Sequence, residues 1–137
     1  MKCVTVFLAI VLLSSAANAK VFKRCELVKL LRDTYHMPHL ATWVCIAQKE
    51  SNYNTAAVNK QSGDHGIFQI SEKYWCNQGN RGCGHKCSDF ENDNISDDVK
   101  CVLKIYKETA KFQGDGFNAW TTYSQCKGNV QKYVQGC

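Results

Sequence analysis

The sequence predicts an α+β domain, with helices around one core and a small antiparallel β insertion. Three observations carry this. Two stretches before residue 52 and one after residue 95 place apolar residues at helical spacing. The chain between them is rich in Asn, Ser and Gly and holds one short β-prone run, Ile67-Phe68-Gln69-Ile70. Eight cysteines lie between residues 25 and 137, as in a small exported domain stapled by disulfides. With 45% hydrophobic and 21% charged residues in 137, the chain is neither disordered nor fibrous, and its length fits one domain.

The first nineteen residues stand apart. Lys2 gives a positive start, Val4 to Leu13 is apolar but too short to span a bilayer, and Ala17-Asn18-Ala19 is a small-x-small cleavage site. Residues 1–19 are therefore expected to be a secretory signal peptide and residues 20–137 the mature domain, secreted to the extracellular space. The plainer alternative, an N-terminal core helix, does not explain all three regions in that order. No later stretch is long enough to be transmembrane.

Within residues 20–137, a first helix is expected over roughly Arg24 to Asp33, with Leu27, Leu30 and Leu31 as its apolar stripe and Pro38 marking its end. A second runs from about His39 to Ser51, where Leu40, Trp43, Val44 and Ala47 share one face. Asn52, Asn54, Asn59, Ser62, Gly63 and Gly66 are turn formers, and with the run Ile67 to Ile70 they predict a small hairpin sheet. Residues 76–94 read as a loop tied down by Cys76, Cys83 and Cys87. A third helix starts near Ser96, which suits an N-cap, and Asp97 and Asp98 complement the positive end of its dipole. Val99, Val102, Leu103 and Tyr106 are its expected core face. The loop Gly114-Asp115-Gly116 precedes an aromatic segment, Phe117 to Tyr123. A groove between the helical part and the sheet is the natural place for a ligand.

Cys3 leaves with the signal segment, and the other eight cysteines, an even number, imply four disulfides with 105 possible connectivities. A zinc site is disfavoured, because no C-x-x-C pair exists and His36-x-x-His39 has no cysteine at metal spacing. The net charge is +5, one less without Lys2, and no run of five basic residues occurs, so nucleic acid is not an expected partner. No cofactor is called for, and a monomer is expected.

Glu50 is the most informative residue. It follows Trp43 by seven positions, Ile46 by four and Ala47 by three, so it projects from the apolar face near the C-terminal end of the second helix. Desolvation and the negative end of the helix dipole both favour its protonated form. A solvated carboxylate on a frayed helix end is the plainer alternative. Asp64, within Ser62-Gly63-Asp64-His65-Gly66, has polar neighbours that suit a solvated, hydrogen-bonded carboxylate, although an ordinary turn aspartate would look the same. Two carboxylates in opposite environments are what a glycosidase needs, one to give a proton and one to stabilise or attack the anomeric centre. Tyr74, Trp75 and Trp120 flank the expected groove, where flat aromatics suit the C–H faces of sugars, though core packing is the commoner fate of Trp.

At these residues the chain resembles chicken-type (c-type) lysozymes. Lys20-Val21-Phe22 with Arg24-Cys25-Glu26-Leu27 is similar to the family's mature start. Trp43-Val44-Cys45 leading to Glu50-Ser51-Asn52-Tyr53-Asn54-Thr55 resembles the end of its catalytic helix, and Asp64-His65-Gly66-Ile67-Phe68-Gln69-Ile70 with Tyr74-Trp75-Cys76 its central signature. Asn118-Ala119-Trp120 and the eight cysteines in order complete a likeness over all of residues 20–137, nearest in character to the arthropod branch.

The resemblance implies the lysozyme fold and the disulfides Cys25–Cys137, Cys45–Cys126, Cys76–Cys87 and Cys83–Cys101. It implies hydrolysis of the β-1,4 bond between N-acetylmuramic acid and N-acetylglucosamine in bacterial peptidoglycan. Glu50 would be the acid, then base, and Asp64 the nucleophile or ionic stabiliser; lysozyme is the standard case of this two-carboxylate logic. Trp120 would pack against the acid, and Gln69, Ser71, Tyr74, Trp75, Asn118 and Ala119 would hold the sugar. In the family's calcium-binding members the positions of Asn92, Asp97 and Asp98 carry ligands. Helix capping by the two aspartates needs no metal, so no metal is expected.

The chain also departs from the family. Only thirteen residues separate Glu50 and Asp64, and the missing ones fall in the hairpin Asn59 to Gly63. Ser71 replaces an asparagine that orients the aspartate, Tyr74 a common exposed tryptophan, and His65 a tyrosine. The expected function is that of a secreted bacteriolytic glycosidase, fit for antimicrobial defence or bacterial digestion, with a positive charge that suits anionic walls. A non-catalytic, α-lactalbumin-like saccharide binder is the alternative, and that branch typically lacks the acid.

Overall fold

A computed structural model describes residues 9, 10 and 18–137; most of the expected signal segment, residues 1–19, lies outside the described residues. Three α-helices carry the core: α1 (Arg24–Lys29), α2 (Leu40–Ser51) and α3 (Ser96–Gln113). Between α2 and α3 sits an antiparallel sheet in the order β1-β2-β3, made of β1 (Val58–Asn59), β2 (Asp64–His65) and β3 (Ile70–Ser71). The expected α+β arrangement is thus present. Among the described residues no helix is long and apolar enough to cross a membrane.

Trp43 of α2 organises the core. It is 1% exposed, and its ring meets Phe68 at 5.7 Å, Phe117 at 4.9 Å, Trp120 at 5.0 Å and Tyr106 of α3 at 6.1 Å between centroids. Rings from three segments distant in sequence therefore converge on one indole, and truncating it to alanine would cost about 3–5 kcal/mol. The start of the domain is tied to the segment after α2: Phe22 N–H donates to Tyr53 O at 3.0 Å and Thr55 N–H to Lys20 O at 2.8 Å. The four disulfides join Cys25–Cys137, Cys45–Cys126, Cys76–Cys87 and Cys83–Cys101, the pairing that the resemblance implies.

Several local expectations are corrected. The first helix is α-helical only to Lys29 and continues as a π-turn over Leu30–Thr34, where Tyr35 N–H reaches back to Leu30 O. Ile67 to Gln69 do not form a strand. Phe68 O accepts from the Trp120 indole and Ile67 O from the Ser51 hydroxyl, and Gln69 turns with a φ of 53°, so the strand starts only at Ile70. Ile95, not Ser96, is the N-cap of α3, and Ser96 is its first helical residue. On α3 the fully buried face includes Asp98, Val99, Cys101, Val102 and Ile105, whereas Leu103 and Tyr106 are only partly buried.

Two glycines let the sheet and its following loop close up. Gly66, at φ 82°, lies where a Cβ would strike the Phe90 carbonyl and the Asp98 carboxyl. Gly82, at φ 62°, lies where a Cβ would strike the backbone of Trp75. Both backbones approach where no side chain fits.

Candidate active site

Glu50 is in the last turn of α2, which ends at Asn52 in the left-handed conformation that asparagine tolerates. Ser51 anchors that end by donating to Ile67 O at 2.7 Å. Asp64 opens β2 and stands opposite Ser71 of β3 in the ladder. The two carboxylates line one cavity of about 250 Å³ together with Gln69, Ser71, Tyr74, Trp75, Ala119 and Trp120. Ile70, Ile105 and Thr121 complete its wall.

Burial is the main influence on Glu50 and pushes its pKa up. A hydrogen bond from the Thr122 hydroxyl to Glu50 Oε1, at 2.7 Å, works against it by favouring the anion. The negative charge of Asp64 adds a smaller upward push. Trp120 is 6% exposed, and its indole N–H donates to Phe68 O at 3.0 Å, which fixes the ring on the wall that Glu50 also lines. A carboxyl inclined to keep its proton thus shares one cavity with a second carboxyl group, as proton-donating glycoside chemistry needs.

Most of the expected site residues come together here, with differences in detail. Tyr74 is 60% exposed at the rim, and Trp75 is partly buried. Gln69 lines the cavity, but its amide N–H₂ donates to Ala57 O at 3.1 Å and Gly66 O at 2.9 Å, so part of it holds the sheet together. Asn118 is exposed and does not line the cavity, although its neighbours Ala119 and Trp120 do. Within the short 3₁₀ helix Gly116–Ala119 it is Gly116 and Phe117 that are buried, and Asn118 faces solvent. The Asp64 carboxylate was expected to be hydrogen-bonded, yet no donor to it is found among the described residues. The serine across from it is too short to take over an asparagine's reach.

The remaining candidates do not converge on a cation. Asn92 and Asp97 line a surface cavity with Asn94, Ser96, His85 and Lys100, so an ammonium already belongs to that wall. The Asn92 Oδ1 accepts from Asn94 N–H, and Asp97 Oδ1 from Asp98 N–H. Asp98 points the other way. It is fully buried, neither carboxyl oxygen has a hydrogen-bond partner, and burial followed by the adjacent Asp97 raises its pKa to about 9. A neutral acid turned into the core beside a lysine-lined surface loop does not fit calcium, which needs several converging oxygens.

Thr122 was not singled out in the sequence. It lies 72 residues from Glu50, and a threonine in a short 3₁₀ helix (Thr121–Cys126) carries no local signal of that contact. His65 also gains a role. Its Nδ1 is 2.9 Å from Glu91 Oε1, so the residue beside Asp64 ties β2 to the segment before α3.

Residues 20–137 match the C-type lysozyme/alpha-lactalbumin family. The chain is 39% identical to lysozyme C-1 of Mus musculus over 145 aligned positions, covering 95% of each chain. It is 41% identical to the tracheal isozyme of lysozyme C from Bos taurus over 145 aligned positions, again covering 95% of each. A solved lysozyme structure from Litopenaeus vannamei superposes with a TM-score of 0.76 at 39% identity, covering 84% of this chain and 95% of that one.

Proposed function

The chain belongs to the C-type lysozyme/α-lactalbumin family, and we propose that it is one of the family's glycosidases, cleaving the β-1,4 bond between N-acetylmuramic acid and N-acetylglucosamine in peptidoglycan. The observation that carries this is the pair Glu50 and Asp64 on one cavity that Trp120 also lines, the first partly desolvated and held by Thr122.

Glu50 is the general acid. Thr122 donates to Oε1, which leaves Oε2 to carry the proton toward the glycosidic oxygen. As the bond to the leaving sugar breaks, Asp64 attacks the anomeric carbon or stabilises its positive charge. Glu50, now a carboxylate, then takes a proton from the water that completes hydrolysis. Tyr74, Trp75 and Trp120 offer apolar faces to the sugar on the Asp64 side.

Residues 1–19 direct export and are then removed, and the protein acts outside the cell as a monomer. Its positive charge favours approach to anionic bacterial walls, which suits defence. The test is a turbidity assay on Gram-positive cell walls with a count of released reducing ends. Clearing with new reducing ends is expected. A folded, fully disulfide-bonded protein that gives neither would refute the proposal and favour a saccharide-binding role.

A further inference from the structure

Glu50 stands at a seam between two cavities. The smaller one contains Asp64 and the aromatic residues. The other, of about 670 Å³, is lined by Gln48, Lys49, Asn52, Asn59, Lys60 and Gln61 among others, shares Glu50 and Gln69 with the first, and lacks Asp64. In two-carboxylate chemistry the anomeric carbon sits against the nucleophile and the leaving oxygen against the acid. The half that has the acid but not the nucleophile therefore receives the sugars of the leaving group.

We infer that Lys49 and Lys60 make this half a recognition site for glycans that carry carboxylates on the leaving-group side, as the stem peptides of peptidoglycan do. The inference rests on the glycosidase reading above and narrows its substrate.

The two halves are built differently. The Asp64 half offers aromatic faces, which suit any sugar ring. The leaving-group half has no aromatic lining; its character is amide and ammonium. Lys49 stands on the helical wall, one residue before Glu50, and Lys60 on the sheet wall, in the turn after β1. A chain lying in the cleft passes between them. Among the described residues neither lysine is ion-paired with a carboxylate. Glu50 is the one carboxyl on this lining, and it enters the reaction protonated. A favourable interaction with the C-terminal end of α2 accounts for Lys49 alone and leaves Lys60 unexplained. Two free cations on opposite walls attract an anionic substituent and give a neutral strand nothing of the same kind.

The test uses glycan strands freed of teichoic acid, a portion treated with an amidase that removes the stem peptides and leaves one lactyl carboxylate on each muramic acid, and neutral chitohexaose as the uncharged reference. The readout is the ratio of kcat/KM on stem-bearing strands to kcat/KM on neutral chitohexaose. For the double variant Lys49→Gln/Lys60→Gln this ratio is expected to fall by about threefold to tenfold, the range of two partly exposed ion pairs. Lys49→Arg/Lys60→Arg is expected to keep the ratio, and high salt to lower it for the unchanged protein. An unchanged ratio in the glutamine variant, by melting temperature still folded, would overturn the inference. So would a lysine effect seen only on walls that retain teichoic acid, which would make phosphate the ligand. Inactivity of the unchanged protein on all three substrates would instead overturn the glycosidase reading.

Discussion

Replacing Thr122 by valine keeps shape and removes one hydroxyl, and it should change the pH at which the enzyme stops working. The hydroxyl donates to Glu50 Oε1 at 2.7 Å, and only the anion benefits strongly from that bond. Hydrogen bonds to charged groups contribute about 1.5–3 kcal/mol. Glu50 is only partly buried and solvent screens the site, so the lower end applies, or about tenfold in its protonation constant. Without the donor, burial and the charge of Asp64 both still oppose ionisation, and nothing opposes them. Glu50 then holds its proton to higher pH. The acid form is the active one, so the alkaline limb of the kcat/KM profile moves up while the acid limb stays. A pH series of kcat/KM on a soluble oligosaccharide measures this, with Thr122→Ser as the control that keeps the hydroxyl. An alkaline limb that stays put, or moves down, in folded Thr122→Val would refute the reasoning.

Other outcomes follow from the same geometry. Asp64→Asn should lower kcat on the order of a hundredfold, because the charge facing the developing cation is lost; near-normal kcat in single-turnover assays would point to a different second carboxylate. Ser71→Asn should raise kcat by about twofold to tenfold by giving Asp64 a donor across the ladder, and a crystal structure should show that contact. Asp98→Asn bears on stability. Its folded pKa of about 9 lies above the ordinary 3.8, so the folded state binds the extra proton and loses stability as pH rises from about 4 toward 9. The asparagine variant should match the parent near pH 4 and melt higher by about 3 °C or more at pH 7–8; equal melting at both pH values would show the carboxyl to be solvated.

Glu50 was legible because a helix repeats its face every three to four residues, so Trp43, Ile46 and Ala47 fix where a carboxyl seven, four and three positions on must point. The disulfide count followed from parity, but the pairing needed the resemblance, since chain arithmetic does not choose among connectivities. The apolar run Ile67-Phe68 looked like a strand because burial and strand pairing leave the same composition. What decides is where the carbonyls go, and those go to Ser51 and Trp120, sixteen and fifty-two residues away. Asp98 sits where an acidic first turn is usually solvated, yet it is fully buried, with the Gly66 backbone packed close to its carboxyl. The hydrogen bonds of Thr122 to Glu50 and of His65 to Glu91 are likewise long-range, and no local pattern encodes them.

The central claim is that Glu50 gives the proton that breaks the glycosidic bond, and Glu50→Gln tests it most directly. The amide oxygen can still accept from Thr122, so the site keeps its shape, and removal of a carboxyl with a raised pKa should leave the protein as stable at pH 7 or more so. Cell-wall hydrolysis by the variant, measured at the parent's optimum alongside its melting temperature, should fall by about 10²–10⁴-fold with no loss of melting temperature. Hydrolysis at the parent's rate by the folded variant would contradict the account.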